Sequence, residues 1–244
     1  MKRVAVAITC FNQSAYTVQA VRSLLEFTHS SVEVSYDFKI FDDCSTDGTQ
    51  EAVRESFGER VGYWKPAENS GLTNLWNAAY REYVDFDYIV LSNNDVIFTP
   101  GWSDILLSEM QEHGSSLAGP VTNGPGHVDA QDVRNFLDDY VPSDAMEDIL
   151  ATSRGLAGRE SFRTARINGF CMAFRKSLLA QADTTSSGTP FDPRFRLFGN
   201  EDEFQARLAP RPLIVPKCFV FHYKRASISD RPRPFHVYRG RISQ

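Results

Sequence analysis

Cysteine is scarce in this chain and nowhere paired. The four present, Cys10, Cys44, Cys171 and Cys218, are widely separated and form no Cys-x-x-Cys element. That spacing indicates neither a zinc motif nor a disulfide framework and suits thiols kept reduced in the cytosol. Long apolar runs are missing as well. No stretch approaches the roughly 20 residues that a membrane-spanning helix requires. The run Val4 to Ile8, preceded by Lys2 and Arg3, is too short for a signal-peptide core and reads as a first buried strand. Basic residues do not predominate: 26 Lys and Arg stand against 31 Asp and Glu, for a formal net charge of -5. This argues against a chain built mainly to hold nucleic acid, although a local group of positive charges can still bind a phosphate. Neither an internal repeat nor an interdomain linker is visible, so a single domain over 1–244 is expected.

The 244 residues are 42% hydrophobic and 12% aromatic, which suits one large α/β domain with a substantial core. After the first strand, Ser14 can cap a helix with Val18, Val21, Leu24, Leu25 and Thr28 at helical spacing. Val32, Val34, Tyr36, Phe38 and Ile40 alternate as in a strand. Asp42 to Thr49 then supplies loop and cap chemistry ahead of a helix carrying Ala52, Val53 and Phe57. A third strand is expected over Val61–Lys65, and Leu72, Leu75, Trp76, Ala79, Tyr80 and Tyr83 mark one helical face. Tyr88 to Ser92 reads as a fourth strand. This alternation predicts a Rossmann-like, mostly parallel sheet flanked by helices, with a site at its carboxyl edge. Beyond Trp102 the expectation is a helix to about His113, a strand near Leu117–Val121, and an acidic, Gly- and Pro-containing run over Thr122–Ala165. Solvated surface is the ordinary meaning of such a run, and a lid over an acceptor is the alternative. Asp183–Pro190 reads as a loop.

The strand Tyr88 to Ser92 delivers Asn93, Asn94 and Asp95 to one point. Hard oxygen ligands at a strand end in an α/β sheet suit Mg²⁺ or Mn²⁺ bridging a carboxylate to phosphates. Asp43 is suited to accept hydrogen bonds from a nucleobase imide or a ribose. Thr9 and Phe11 can form that pocket's backbone and wall. Asp42, Asp43, Ser45 and Asp47 can equally stabilise a strand–turn–helix junction, and the reading taken is nucleotide contact for Asp43 and capping for Asp47. Asn69 and Gly71 suit either a nucleotide loop or a plain turn, with Asn77 contacting or bracing it from the following helix.

Taken in order, these segments resemble the glycosyltransferase family 2 pattern of the GT-A fold, from Val4 to about Ser227. Ala7-Ile-Thr-Cys-Phe-Asn12 resembles its opening strand and turn, and Phe41-Asp-Asp-Cys-Ser-Thr-Asp-Gly-Thr49 its nucleotide loop. Asn69-Ser-Gly71 with Asn77 resembles its Asn-x-Gly and following Asn, and Asn93-x-Asp95 falls at its Asp-x-Asp metal motif, with Asn93 in place of the first carboxylate. Arg166-Ile-Asn-Gly-Phe-Cys-Met-Ala-Phe-Arg175 resembles the segment lining the donor sugar, which implies Asn168 and Gly169 in contact with it. Phe198-Gly-Asn-Glu-Asp-Glu-Phe-Gln-Ala-Arg207 resembles the Glu-Asp helix start that supplies the catalytic base. Matching the letters selects Asp202, whereas anchoring on Arg207 selects Glu201, and an acidic helix start can also simply complement the helix dipole. His222 with Ser227 resembles the late His-x(n)-Ser element, where the imidazole would complete the metal shell or touch diphosphate, or be structural.

The resemblance implies an inverting, single-displacement glycosyltransferase assisted by Mn²⁺ or Mg²⁺. Its donor would be a nucleoside-diphosphate sugar and its acceptor a sugar, a lipid-linked group or a protein. Asp95 and His222 would hold the metal. Thr9, Phe11, Asp43, Asn69, Gly71, Asn77, Asn93, Asn94, Asn168 and Gly169 would contact the donor, and Asp202 or Glu201 would act as base. Residues 1–100 would form the nucleotide half, 101–223 the donor-sugar and acceptor half, and 224–244 a basic tail able to touch a membrane surface. The expected location is cytoplasmic, or peripheral at a membrane. The chain lacks a Gln-x-x-Arg-Trp element, which argues against a processive synthase. A nucleotidyltransferase would carry a Gly-rich basic loop after the first strand, and Cys10–Ser14 has neither Gly nor Lys. A noncatalytic sugar-nucleotide binding protein is the remaining alternative.

Overall fold

The computed structural model describes residues 1–182 and 188–224. Most of the loop expected over Asp183–Pro190, Ser227 and the basic tail beyond Lys224 lie outside the described residues. The first half alternates as the sequence implies: β1 (Lys2–Cys10), α1 (Ser14–Phe27), β2 (Val34–Asp42), α2 (Thr49–Phe57), β3 (Gly62–Trp64), α3 (Leu72–Glu82) and β4 (Tyr88–Asn93). Then follow β5 (Val96–Phe98), α4 (Trp102–Glu112), β6 (Leu117–Val121), α5 (Met146–Gly155), β7 (Phe162–Arg163), β8 (Cys171–Arg175), α6 (Lys176–Ala182), α7 (Asn200–Leu208) and β9 (Leu213–His222).

The strands form one sheet in the order β3-β2-β1-β4-β8-β6-β9-β5, with β7 paired to β9. β1 lies parallel to both β2 and β4, and β2 parallel to β3. Beyond β4 the sheet is mixed: β8 runs antiparallel to β4 and β6, β6 lies parallel to β9, and β5 and β7 run antiparallel to β9. The parallel character read from the sequence therefore belongs to the first four strands. Strand–helix alternation reports parallel crossovers only where a helix separates each pair of strands, and that pattern stops after β4.

Alternation along β1 and β4 splits the core. Ala5, Ala7, Ile89 and Leu91 face Leu75, Trp76 and Ala79 of α3 and Tyr83 just after it, whereas Val4, Val6, Ile8 and Val90 face Ala20, Val21 and Leu24 of α1 and Leu106 of α4. Both faces of β1 are covered, which is why Val4 to Cys10 is buried throughout.

Two local readings are corrected. Val32 is 92% exposed and precedes β2, because Ser31 Oγ accepts from the amides of Glu33 and Val34 and makes a turn there. Ser14 does not cap α1 with its hydroxyl: the preceding Gln13 is left-handed at φ 65°, and Ser14 N donates instead to Asp47 Oδ2 at 3.0 Å. Asp47 also accepts from Thr49 N at the start of α2, so one carboxylate serves two helix ends, in keeping with its expected capping role. Burial works against that charge, but the hydrogen bonds from Thr49 and Ser14 hold its pKa below the ordinary value. The acidic residues of the Thr122–Ala165 run are for the most part exposed, as a solvated surface requires, although the run contains α5 and its Asp132 is buried while accepting from the Arg134 amide. No helix among the described residues is long and apolar enough to cross a membrane.

Candidate active site

The parallel register brings the ends of β1, β2 and β4 level, with Thr9 opposite both Phe41 and Asn93. Thr9 itself is buried, its hydroxyl 3.2 Å from the Ser92 carbonyl, while Phe11 leaves the strand end 41% exposed. Asp43 follows β2, and its carboxylate accepts from Ser70 N at 2.6 Å and Gly71 N at 2.9 Å. Asn69 Nδ2 donates to the Asp43 carbonyl at 2.9 Å. The Asp43 turn and the Asn69–Gly71 loop are therefore one hydrogen-bonded unit. Gly71 has φ 87°, and a β-carbon on it would run into the side chain of Arg196, so glycine is required there twice over. Asp42 is the structural member of the acidic pair: it is fully buried and accepts from Ser45 N and the Tyr63 hydroxyl.

The three residues after Ser92 diverge. Asn93 closes β4, its amide donating to the Phe170 carbonyl at 2.9 Å. Asn94 turns its carboxamide toward α1, with Nδ2 2.9 Å from Thr17 Oγ1. Asp95 is 3% exposed, and its Oδ1 lies 3.2 Å from His222 Nε2 at the end of β9. The other ring nitrogen, Nδ1, is 2.9 Å from the Gly124 carbonyl, and the ring stacks on Phe170. Burial alone would lower the His222 pKa, but the Asp95 carboxylate and the Gly124 carbonyl outweigh it and hold the imidazole above its ordinary value. With Nδ1–H committed to Gly124, the neutral ring presents the Nε2 lone pair toward Asp95. That carboxylate and imidazole make a two-ligand donor set of the kind that Mn²⁺ accepts. No group of three or more His, Cys, Asp or Glu side chains suited to a metal occurs among the described residues, so further ligands would have to be phosphate oxygens or water.

The two carboxylates at the start of α7 have opposite surroundings. Glu201 packs inward: its Oε1 and Cη2 of the buried Trp76 each lie 3.1 Å from the place that a Gly169 β-carbon would fill. Burial raises the Glu201 pKa, the nearby Asp202 charge adds to this, and the Gly169 amide and His127 oppose it. Asp202 faces outward with Oδ1 3.4 Å from Arg166 Nη1 and a carboxylate oxygen 3.2 Å from His127 Nε2. His127 Nδ1 is in turn 3.4 Å from Asn168 Nδ2. α7 is anchored by Phe204 against Phe191 and Phe174 and by Gln205, which brackets the Ile167 amide and carbonyl at 2.8 and 2.9 Å. Arg207 pairs with Glu203 one turn back at 2.6 Å.

Asn77 is buried on α3, and its carboxamide spans the backbone of Phe191, donating to the carbonyl at 2.8 Å and accepting from the amide at 3.1 Å. Sequence reasoning missed His127, Trp76 and Arg196. A lone histidine in an acidic loop carries no spacing signal, Trp76 reads as helix core, and Arg196 meets Asn69 and Gly71 only through the tertiary fold.

Residues 5–181, more than half of the chain, match the family described as Glycosyl transferase family 2. No curated protein sequence matches the chain. Among solved structures, TarS 1-349 of S. aureus in complex with UDP aligns over 91% of this chain and 60% of its own, with TM-score 0.61 and 17% identity. GalNAc-T7 with UDP, GalNAc and Mn2+ aligns over 91% and 44%, with TM-score 0.66 and 14% identity. The mannosyltransferase PcManGT from Pyrobaculum calidifontis, in complex with GDP-Man and Mn2+, aligns over 94% and 58%, with TM-score 0.61 and 18% identity. The chain thus spans about half of the length of these structures, and at such identities the likeness establishes the shared GT-A fold.

Proposed function

The chain belongs to glycosyl transferase family 2, and from that premise we propose that it moves one sugar from a nucleoside-diphosphate sugar to an acceptor hydroxyl by a single inverting displacement. The observation that carries this reading is the gathering at one sheet edge of the Asp43–Gly71 unit, the Asp95–His222 pair and the half-buried Glu201 carboxylate. Asp43, with Thr9, Phe11 and the Asn69–Gly71 loop, would take the nucleoside. Asn93 at the end of β4 and the segment at Asn168 and Gly169 would take the rest of the donor. Asn77 and Asn94 contribute by holding their loops, since their carboxamides bond the Phe191 backbone and Thr17.

A divalent ion, Mn²⁺ or Mg²⁺, fits the carboxylate and imidazole of Asp95 and His222. When bound it would neutralise the charge that grows on the departing diphosphate. We assign the base to Glu201. Its half-buried carboxylate and the buried Trp76 both lie against Gly169, and a raised pKa strengthens a carboxylate as proton acceptor. Asp202 is the alternative base. Its two positively polarised partners, Arg166 and His127, favour a role in orienting the acceptor at the mouth. The acceptor would be a sugar, a lipid-linked group or a protein. The nucleotide half would be 1–100 and the acceptor half 101–223 of one domain.

Calorimetric titration with UDP and with GDP, each with and without Mn²⁺, tests the donor reading. Binding of at least one diphosphate strengthened by Mn²⁺ supports it, and no binding of either contradicts it. Release of diphosphate from a nucleotide sugar separates the enzyme from a noncatalytic binding protein.

A further inference from the structure

The first turn of α7 is tied to the nucleotide loop by an unbroken series of hydrogen bonds that the proposed chemistry does not use. Arg196 Nη2 donates to Asn69 Oδ1 at 2.6 Å and to the Asn69 carbonyl at 3.0 Å, and Asn69 is itself bonded to Asp43. The Arg196 carbonyl accepts from Thr73 N at 3.3 Å. One residue before it, the Phe195 carbonyl accepts from Thr73 Oγ1. That same hydroxyl accepts from Asn200 Nδ2 at 3.1 Å, and Asn200 Oδ1 accepts from Glu201 N at 3.0 Å. Thr73 and Asn200 are both essentially inaccessible to water. On the far side Asn77 holds Phe191 by both atoms of its carboxamide. The stretch from 191 to 200 thus hangs from one polar face of α3 at three places.

We propose that Thr73 is a positioning residue for the base: through Asn200 it fixes the depth at which Glu201 enters the niche made by Gly169 and Trp76, and through Arg196 it ties that depth to the Asp43 nucleotide loop. This rests on the assignment of Glu201 as base. The constraint on Thr73 is one of valence. A threonine hydroxyl has one proton and two lone pairs. Here the proton is committed to Phe195 O and a lone pair to Asn200, so the hydroxyl sets both the backbone before α7 and the carboxamide that accepts from the Glu201 amide. Removing it leaves the Phe195 carbonyl without its donor and the buried Asn200 amide group unpaired, and both relax most cheaply by letting the first turn of α7 slide outward. Glu201 would then leave its niche for water. Of the groups facing it, Asp202 moves with the turn, while His127 and the Gly169 amide stay where they are. Displacement of a reacting group by about 1 Å costs on the order of 10²-fold in rate.

The test compares Thr73→Val with Thr73→Ser and wild type in three readouts. They are hydrolysis of UDP-GlcNAc and GDP-mannose with Mn²⁺, diphosphate affinity by calorimetry, and the titration of the Glu201 carboxyl by carbon NMR, its resonance identified by its loss in Glu201→Gln. The proposal expects Thr73→Val to lose roughly 10- to 100-fold in kcat while KM and diphosphate affinity stay within about twofold and the Glu201 midpoint falls toward the ordinary glutamate value. Thr73→Ser restores all three. An unchanged Glu201 midpoint in Thr73→Val overturns it, as does a raised KM at unchanged kcat. If wild type turns over neither donor, the proposed function is what has failed at this step, and the NMR titration alone decides the positioning claim. If neither Thr73→Val nor the smaller Thr73→Ala folds, Thr73 is a folding element and the proposal is wrong.

Discussion

The Oε1 atom of Glu201 lies 3.1 Å from the position that a β-carbon on Gly169 would occupy. One missing methyl group therefore sets how deeply the carboxylate can sit. Gly169→Ala is expected to crowd both Glu201 and Trp76 and to push the carboxylate outward by a few tenths of an ångström. Steady-state kinetics should show kcat reduced by about tenfold with the donor KM little changed. A melting temperature within a few degrees of wild type will separate this from general overpacking.

Glu201→Gln keeps size and removes basicity, so transfer or donor hydrolysis is expected to fall by roughly 10²–10⁴-fold while diphosphate binding persists. Asp202→Asn should be the milder change, with its loss appearing mainly in acceptor KM, because Arg166 and His127 lose their partner. The reverse order in side-by-side kinetics assigns the base to Asp202.

The raised Glu201 pKa has a stability consequence of definite sign. A carboxyl whose folded pKa exceeds its unfolded value favours the fold while protonated. Its contribution is complete below the ordinary value of 4.5 and is lost as pH rises through the raised value. Glu201→Gln cannot ionise, so its stability relative to wild type should increase with pH across that window and level off above it. Denaturant melts of both proteins at several pH values check this, and a difference that is flat with pH contradicts the raised Glu201 pKa.

Asp43 both receives the nucleoside in our reading and holds the Ser70 and Gly71 amides. Asp43→Ala is accordingly expected to weaken diphosphate binding and also to destabilise the protein by about 1–3 kcal/mol, the cost of leaving buried amides unpaired. Calorimetry and denaturant melts measure the two effects separately. Asp43→Asn, which keeps one acceptor oxygen, should recover much of the stability and little of the affinity.

The first half of the chain was legible because its signals are local. The α3 face from Leu75 to Tyr83 follows the helical period, and Thr9, Asp43 and Asp95 could be placed at one edge once four strands were read as parallel. The approach of His222 to Asp95 was suggested only through the family pattern, since nothing in the spacing of β4 and β9 states that they meet. Less was legible where identity depends on the partner. Asn77 and Asn94 carry the same carboxamide as Asn69, and which backbone each one holds is decided by helix packing. Glu201 and Asp202 are likewise chemically alike, and their difference lies in the direction that α7 takes from Asn200. The Arg196–Asn69 and Thr73–Asn200 bonds join segments that no periodicity relates.

The most direct test of the account is release of nucleoside diphosphate from a panel of UDP- and GDP-linked sugars in the presence of Mn²⁺, with Asp95→Ala and Glu201→Gln alongside wild type. The account predicts that wild type releases diphosphate from at least one donor. Asp95→Ala should lose both release and the Mn²⁺-dependent stabilisation by free diphosphate, about 2.7 kcal/mol at a ligand concentration 100 times Kd, while Glu201→Gln should lose only release. Diphosphate release by Asp95→Ala at the wild-type rate, or binding without release from any donor by wild type, would contradict it.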